Sequence, residues 1–171
     1  MQSTCPAETA PAAGERDRQR WRVYVWWLLT LVWAVKMFWI STDTFSGNLT
    51  RPILARLLGL LHLNLSAAAF GVLHTLLRKS AHLFEYAVLS FLLYRSLGGW
   101  DRLKWQPHIA GWSILGGLAY SLGDEFHQSF VSNRGASLSD CAIDTAGAIL
   151  AMILIYGITR GLRKGTGNIP I

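Results

Sequence analysis

From Val23 to Ile40 the chain carries a single charged residue, Lys36, in an otherwise apolar run. A run of this length is about what one helix needs to cross the hydrocarbon core of a bilayer. It lies near the N-terminus behind a basic stretch, where the core of a signal peptide would also lie. No small-x-small cleavage site follows, however, and Lys36-Met-Phe-Trp39 carries the run on to spanning length. The run is therefore expected to stay as a first transmembrane helix. Trp21, Trp26, Trp27, Trp33 and Trp39 suit its interfacial and lipid-facing positions. Composition agrees, with 51% of residues hydrophobic and 15% charged, against about 25% charged in soluble domains. The 171 residues suffice for one domain.

Three more segments are expected to span: Ser80–Leu97, Ile109–Phe130 and Asp140–Thr159. In the first of these the charge-free part, Tyr86–Tyr94, is too short to cross alone. It spans only with His82 and Glu85 inside the membrane or at its edge. Thr42 to Thr50 reads as a polar loop. Pro52 then opens Ile53–Leu63, where Arg51 and Arg56 stand beside Leu54, Leu57, Leu58 and Leu61. That pattern suits an amphipathic helix lying in the interface. Ser66–Leu77 is too short to span and reads as an interfacial or re-entrant helix. The expected fold is all-α, an integral membrane four-helix bundle with one or two interfacial helices after the first span. Residues 1–20 read as a disordered tail, 21–160 as the transmembrane domain and 161–171 as a basic tail.

The formal net charge of +6 would suggest nucleic acid in a soluble protein. No basic stripe with interleaved aromatics is present, so nucleic acid is not an expected partner and the lipid bilayer is. The basic residues flank the apolar runs. With the N-terminus in the cytoplasm, the inner side holds ten: Arg16, Arg18, Arg20, Arg22, Arg95, Arg102, Lys104, Arg160, Arg163 and Lys164. The outer side holds five: Arg51, Arg56, Arg78, Lys79 and Arg134. This bias favours a multi-pass protein of the cell membrane with both termini cytoplasmic. Cys5 and Cys141 form no C-x-x-C motif, and no disulfide is expected. Cys141 reads as a small packing residue.

In that topology the ionisable residues of three helices share one face, the outer one. His82 and Glu85 lie at the outer end of the second span. Asp124, Glu125, His127 and Gln128 end the third, and Asp140 and Asp144 begin the fourth. Inverting the whole chain would keep them together. A charge at the centre of a span costs on the order of 2.5–3.5 kcal/mol, so convergence on a shared cavity is the economical arrangement. His82 and Glu85 are neighbours on one helix face. Gly117, Ser121, Asp124 and Gln128 form a stripe, and Asp140, Asp144, Gly147 and Ala151 form another. Their small residues permit close helix approach below the polar ones. Adjacent residues point about 100° apart, so Asp124 is expected in the cavity and Glu125 in a pair with Arg134 or Lys79.

Each of these residues also has a bland reading. Lys79 can be a snorkelling anchor, and His82 with Glu85 a helix-stitching hydrogen bond. Asp140 suits a helix start, where the dipole favours an acid and Ser139 can cap. Arg134 is either a loop cation at the head groups or an anion clamp. His127 reads as interfacial. A metal is not expected: the N and O ligands are present, but H-E-x-x-H is absent and Lys79 and Arg134 would repel a cation. The residues identify no cofactor.

Arg78-Lys79-Ser-Ala-His82-Leu-Phe-Glu85-Tyr86, then Asp124-Glu125-Phe-His-Gln128-Ser-Phe130, then Arg134, Asp140 and Gly147 resemble the VanZ-like family of membrane proteins. The resemblance spans about residues 36–155, and the two main motifs together are specific. It implies an association with resistance to teicoplanin, a glycopeptide. The chain departs from the family pattern in three places. Ser132-Asn133 stand where a Pro is common before the Arg, Asp144 where Asn is common, and Ala151 where a second Gly is common.

The leading expectation is a site at the outer leaflet that acts on an envelope component or an envelope-directed antibiotic. Lys79 and Arg134 would hold an anionic lipid head group or a glycopeptide ligand. His82, Glu85, Asp124 and Asp144 would supply hydrogen bonds or acid–base chemistry. The alternative is a membrane-embedded enzyme acting on a lipid-linked substrate, although no nucleophile elbow or phosphate-binding Gly loop supports it. A small transporter ranks below both, because no inverted repeat is visible.

Overall fold

The computed structural model describes residues 13–41, 47–99, 104–129 and 138–166. They form helices α1 (Ala13–Ser41), α2 (Gly47–Leu60), α3 (Ala67–Ser96), α4 (Pro107–Gln128) and α5 (Leu138–Thr166), with no strand among the described residues. The all-α expectation is met.

Helix boundaries differ from expectation in four places. α1 begins at Ala13, inside the stretch read as a disordered tail. The Ala, Arg and Gln there are good helix formers whatever their polarity. α2 begins at Gly47, so Pro52 lies within the helix rather than opening it. The segments read separately as Ser66–Leu77 and Ser80–Leu97 are one continuous helix, α3. Ser66 caps it, its Oγ accepting from the Ala69 amide at 3.2 Å. Arg78 and Lys79 interrupt the apolar run but not the backbone, because both are good helix formers and remain exposed. α5 runs on to Thr166, past the expected start of the basic tail.

α3 is the hub. It packs on α1, α4 and α5, while α4 also packs on α5 and touches α1 lightly. α1 runs antiparallel to α3: Thr30 meets Ser96 through a buried hydroxyl pair at 2.8 Å, and Trp33 Nε1 donates to the Glu85 carbonyl at 3.1 Å. Tyr120 of α4 donates to the Ala34 carbonyl of α1 at 2.6 Å. One apolar cluster, around Tyr94, Ile109, Ala110, Ala151 and Met152, fills the end where α3 finishes. A second, around Met37, Tyr86 and Leu89, ties α1 to α3. The small-residue stripes do what their spacing predicts. Gly147 faces the Leu83 backbone with no room for a side chain, and Gly117 faces Ala148.

α1 and α5 are each long and apolar enough to cross a membrane. Only 11% of the α1 window and 33% of the α5 window are buried, whereas the core helix of a soluble protein is mostly buried. Leu28, Leu31, Val32, Ile153, Leu154 and Ile158 all stand outward. These side chains need apolar cover that the other described residues do not supply.

Candidate functional site

At the end of the bundle where α5 begins, polar side chains of α1, α3, α4 and α5 come together in small groups. The deepest is centred on Asp144, whose side chain is almost fully buried. Ser121 of α4 donates to its Oδ2 at 2.7 Å. His82 of α3 places Nδ1 3.6 Å from its Oδ1. That distance is an ion-pair distance but too long for a direct hydrogen bond. Three helices thus meet on one carboxylate. Asp144 lies one turn inside α5, where the sequence demanded a partner; Ser121 bonds one carboxylate oxygen, and the other, facing the His82 ring, is buried without a hydrogen bond.

The second group joins α1 to α3. Lys36 Nζ lies 2.7 Å from Glu85 Oε1. It also lies 4.3 Å from the centre of the Trp33 ring, a cation–π distance. The same Trp33 bonds the Glu85 carbonyl, so Lys36 and Trp33 grip one residue of α3 by side chain and backbone. The third group lies within α4, where Gln128 donates to Asp124 Oδ2 at 2.6 Å. The other Asp124 oxygen is buried without a hydrogen bond.

These groups border a cavity of about 240 Å³. Its polar wall carries His82, Glu85, Asp124, Tyr86 and Tyr120. Its apolar wall carries Met37, Ile40, Leu54, Leu77 and Ala81. Near α2, Thr50 and His74 bond at 2.9 Å, and Arg78 completes the lining. A mainly apolar hollow with a few polar groups to fix orientation suits an amphiphilic guest.

Of the residues singled out in the sequence, His82, Glu85 and Asp124 line the cavity, and Asp144 supports it through His82 and Ser121. Glu125 and Gln128 are buried in the bundle. Lys79 is exposed and makes no ion pair among the described residues, so it is not the partner of Glu125. Asp140 sits in the first turn of α5, with Ser139 Oγ 3.4 Å from its Oδ1, and does not line the cavity. His127 packs against Phe38 with ring centres 4.8 Å apart and the planes tilted by 39°. Arg134 lies outside the described residues. Among the described residues, no three His, Cys, Asp or Glu side chains gather as a metal-ligating group.

Lys36, Tyr120, His74 and Arg78 join the site without having been assigned to it from sequence. Lys36 carried a signal, since a lone charge inside an apolar span needs a partner. What the sequence could not supply was which of several carboxylates would meet it.

The VanZ/LLP1 family model matches residues 26–160, from the middle of α1 to near the end of α5. That range takes in the Lys36–Glu85 pair, the Asp144 group and every residue of the cavity wall. No curated protein and no solved structure matches the chain. Matched over most of its length and carrying both polar motifs, the chain belongs to the VanZ/LLP1 family.

Proposed function

We propose that this is a multi-pass membrane protein in which α1, α3, α4 and α5 all cross the bilayer. The polar cavity then lies at the outer face and takes up an amphiphilic envelope molecule or a glycopeptide, giving a contribution to teicoplanin resistance. The observation that carries this reading is the cavity wall itself. Carboxylates on α3 and α4 line one hollow together with apolar side chains of α1, α2 and α3. Charges held within a span are expensive and are retained where they serve a site. α2 would lie in the interface, with Leu54 closing the apolar side.

Topology is tested by labelling. In a Cys5→Ser background, an exposed Ser139→Cys is expected to react with a membrane-impermeant maleimide added outside intact cells. Cys141 is buried and should stay silent. Reaction only after the cells are opened would invert the orientation.

Function is tested in a glycopeptide-sensitive host. Expression is expected to raise the inhibitory concentration of teicoplanin. Glu85→Ala and Asp124→Ala proteins of unchanged abundance should lose about tenfold in ligand affinity, the equivalent of roughly 1.4 kcal/mol, and with it most of the protection. Full protection by both variants would end the site reading.

A further inference from the structure

α5 ends in a second hollow. Arg160 lies sixteen residues beyond Asp144, about 24 Å along the helix, at the opposite end of the bundle from the polar cavity. The hollow measures about 380 Å³ and is lined by Trp105, Tyr156, Thr159, Arg160, Arg163 and Lys164. Among the described residues, three cations and no carboxylate line it.

Cations in the last turn of a helix are common, because the helix dipole and inner-face charge bias both favour them. Two observations go beyond that. The first is a fixed aromatic wall. Tyr94, only 2% exposed, stacks on Trp105 with ring centres 5.8 Å apart, and Tyr156 meets Trp105 edge-on at 5.5 Å. Arg160 Nη1 donates to the Tyr156 hydroxyl at 3.4 Å, which steers its guanidinium to the edge of that wall. The second is the stripe that leads there. Ile149, Ile153, Tyr156 and Arg160 follow one another at four, three and four residues, so they share one face of α5. Ile149 and Ile153 are exposed. The face therefore runs from bare aliphatic surface, past an aromatic ring, to a cationic head.

We propose that this hollow binds the phosphodiester of an anionic phospholipid. Its acyl chain would lie along Ile149 and Ile153, its glycerol against Tyr156 and Trp105, and its phosphate among Arg160, Arg163 and Lys164. Arg and Lys supply charge-assisted hydrogen bonds to phosphate oxygens, and indole and phenol rings suit the depth of the head groups. A volume of this size falls within the range of ligand pockets, about 300–1,000 Å³. The inference rests on α5 lying in a bilayer and not on what the polar cavity takes up.

Native mass spectrometry of the detergent-solubilised full chain tests it, with phosphatidylglycerol, phosphatidylcholine and soluble glycerol phosphate titrated separately. Phosphatidylglycerol should remain bound at energies that strip phosphatidylcholine. A triple Arg160→Gln, Arg163→Gln, Lys164→Gln protein should bind it on the order of a hundredfold more weakly, as expected for loss of three cations near a membrane surface. A charge-matched control, Arg18→Gln, Arg20→Gln, Arg22→Gln, should bind like the wild type. The single Arg160→Gln protein should fall between them. Equal loss in the control would reduce the hollow to surface attraction and overturn the proposal. So would binding of glycerol phosphate without phosphatidylglycerol, which would make the ligand a soluble ester.

Discussion

Gly147→Ala is expected to destabilise the protein by about 1–3 kcal/mol, the usual cost of overpacking a tight interior. Gly147→Leu should leave little folded material. A Cβ added at Gly147 would lie 3.0 Å from the carbonyl carbon of Leu83 and closer still to its oxygen. The obstacle is backbone, which cannot rotate aside, so α3 and α5 would have to separate. Gly157 lies on the same helix with nothing within 4 Å of an added Cβ. Gly157→Ala should therefore be neutral or stabilising by about 0.5–1 kcal/mol, since Ala loses less backbone freedom than Gly in a helix. Thermal unfolding of the two proteins in the same detergent measures the difference. Equal melting temperatures would show that α3 and α5 do not meet at Gly147. Asp144 precedes Gly147 by one turn, so the same separation should also draw it away from His82 and Ser121.

Lys36→Met should destabilise by on the order of 2 kcal/mol, below the roughly 3–5 kcal/mol of a fully buried pair, because this pair is only part-buried. The Lys36 side chain is 39% exposed and that of Glu85 19%. Removing Lys36 leaves the better-buried carboxylate without its counter-ion. Adding Glu85→Gln removes that charge, and the double variant should recover most of the stability, giving a coupling of about 1–3 kcal/mol in the mutant cycle. Denaturation of the four proteins in one detergent supplies the cycle. Additive losses would mean that the pair is an incidental contact. On the proposed function, the double variant also separates folding from use: it should fold and still fail to protect against teicoplanin, because Glu85 lines the cavity.

Much of the site was legible in the sequence because its signals are local. His82 and Glu85 share a face at three-residue spacing, Asp144 lies one turn inside an apolar helix, and Gly147 and Gly117 mark close approach. Those rules name residues and faces but not partners. Lys36 was visible as a lone charge, yet its pairing with Glu85 depends on how far α1 slides along α3, which no local pattern encodes. The continuity of α3 was hidden for another reason. Hydropathy reports the solvent that a side chain meets, so Arg78 and Lys79 divided one helix into two. Backbone hydrogen bonding ignores that boundary. The reverse applies at Ala13, where polar residues concealed a helix that propensity alone supports.

The continuity of α3 has a mechanical consequence. Its thirty residues make a rod about 45 Å long. From Val72 to Ser96 it contains neither Gly nor Pro, the residues at which helices most often bend. His74, bonded to Thr50 of α2, and Glu85, paired with Lys36 of α1, therefore ride on one lever without a hinge. A guest that pushed α2 aside would tilt the whole rod, and the carboxylate eleven residues further on would swing with it.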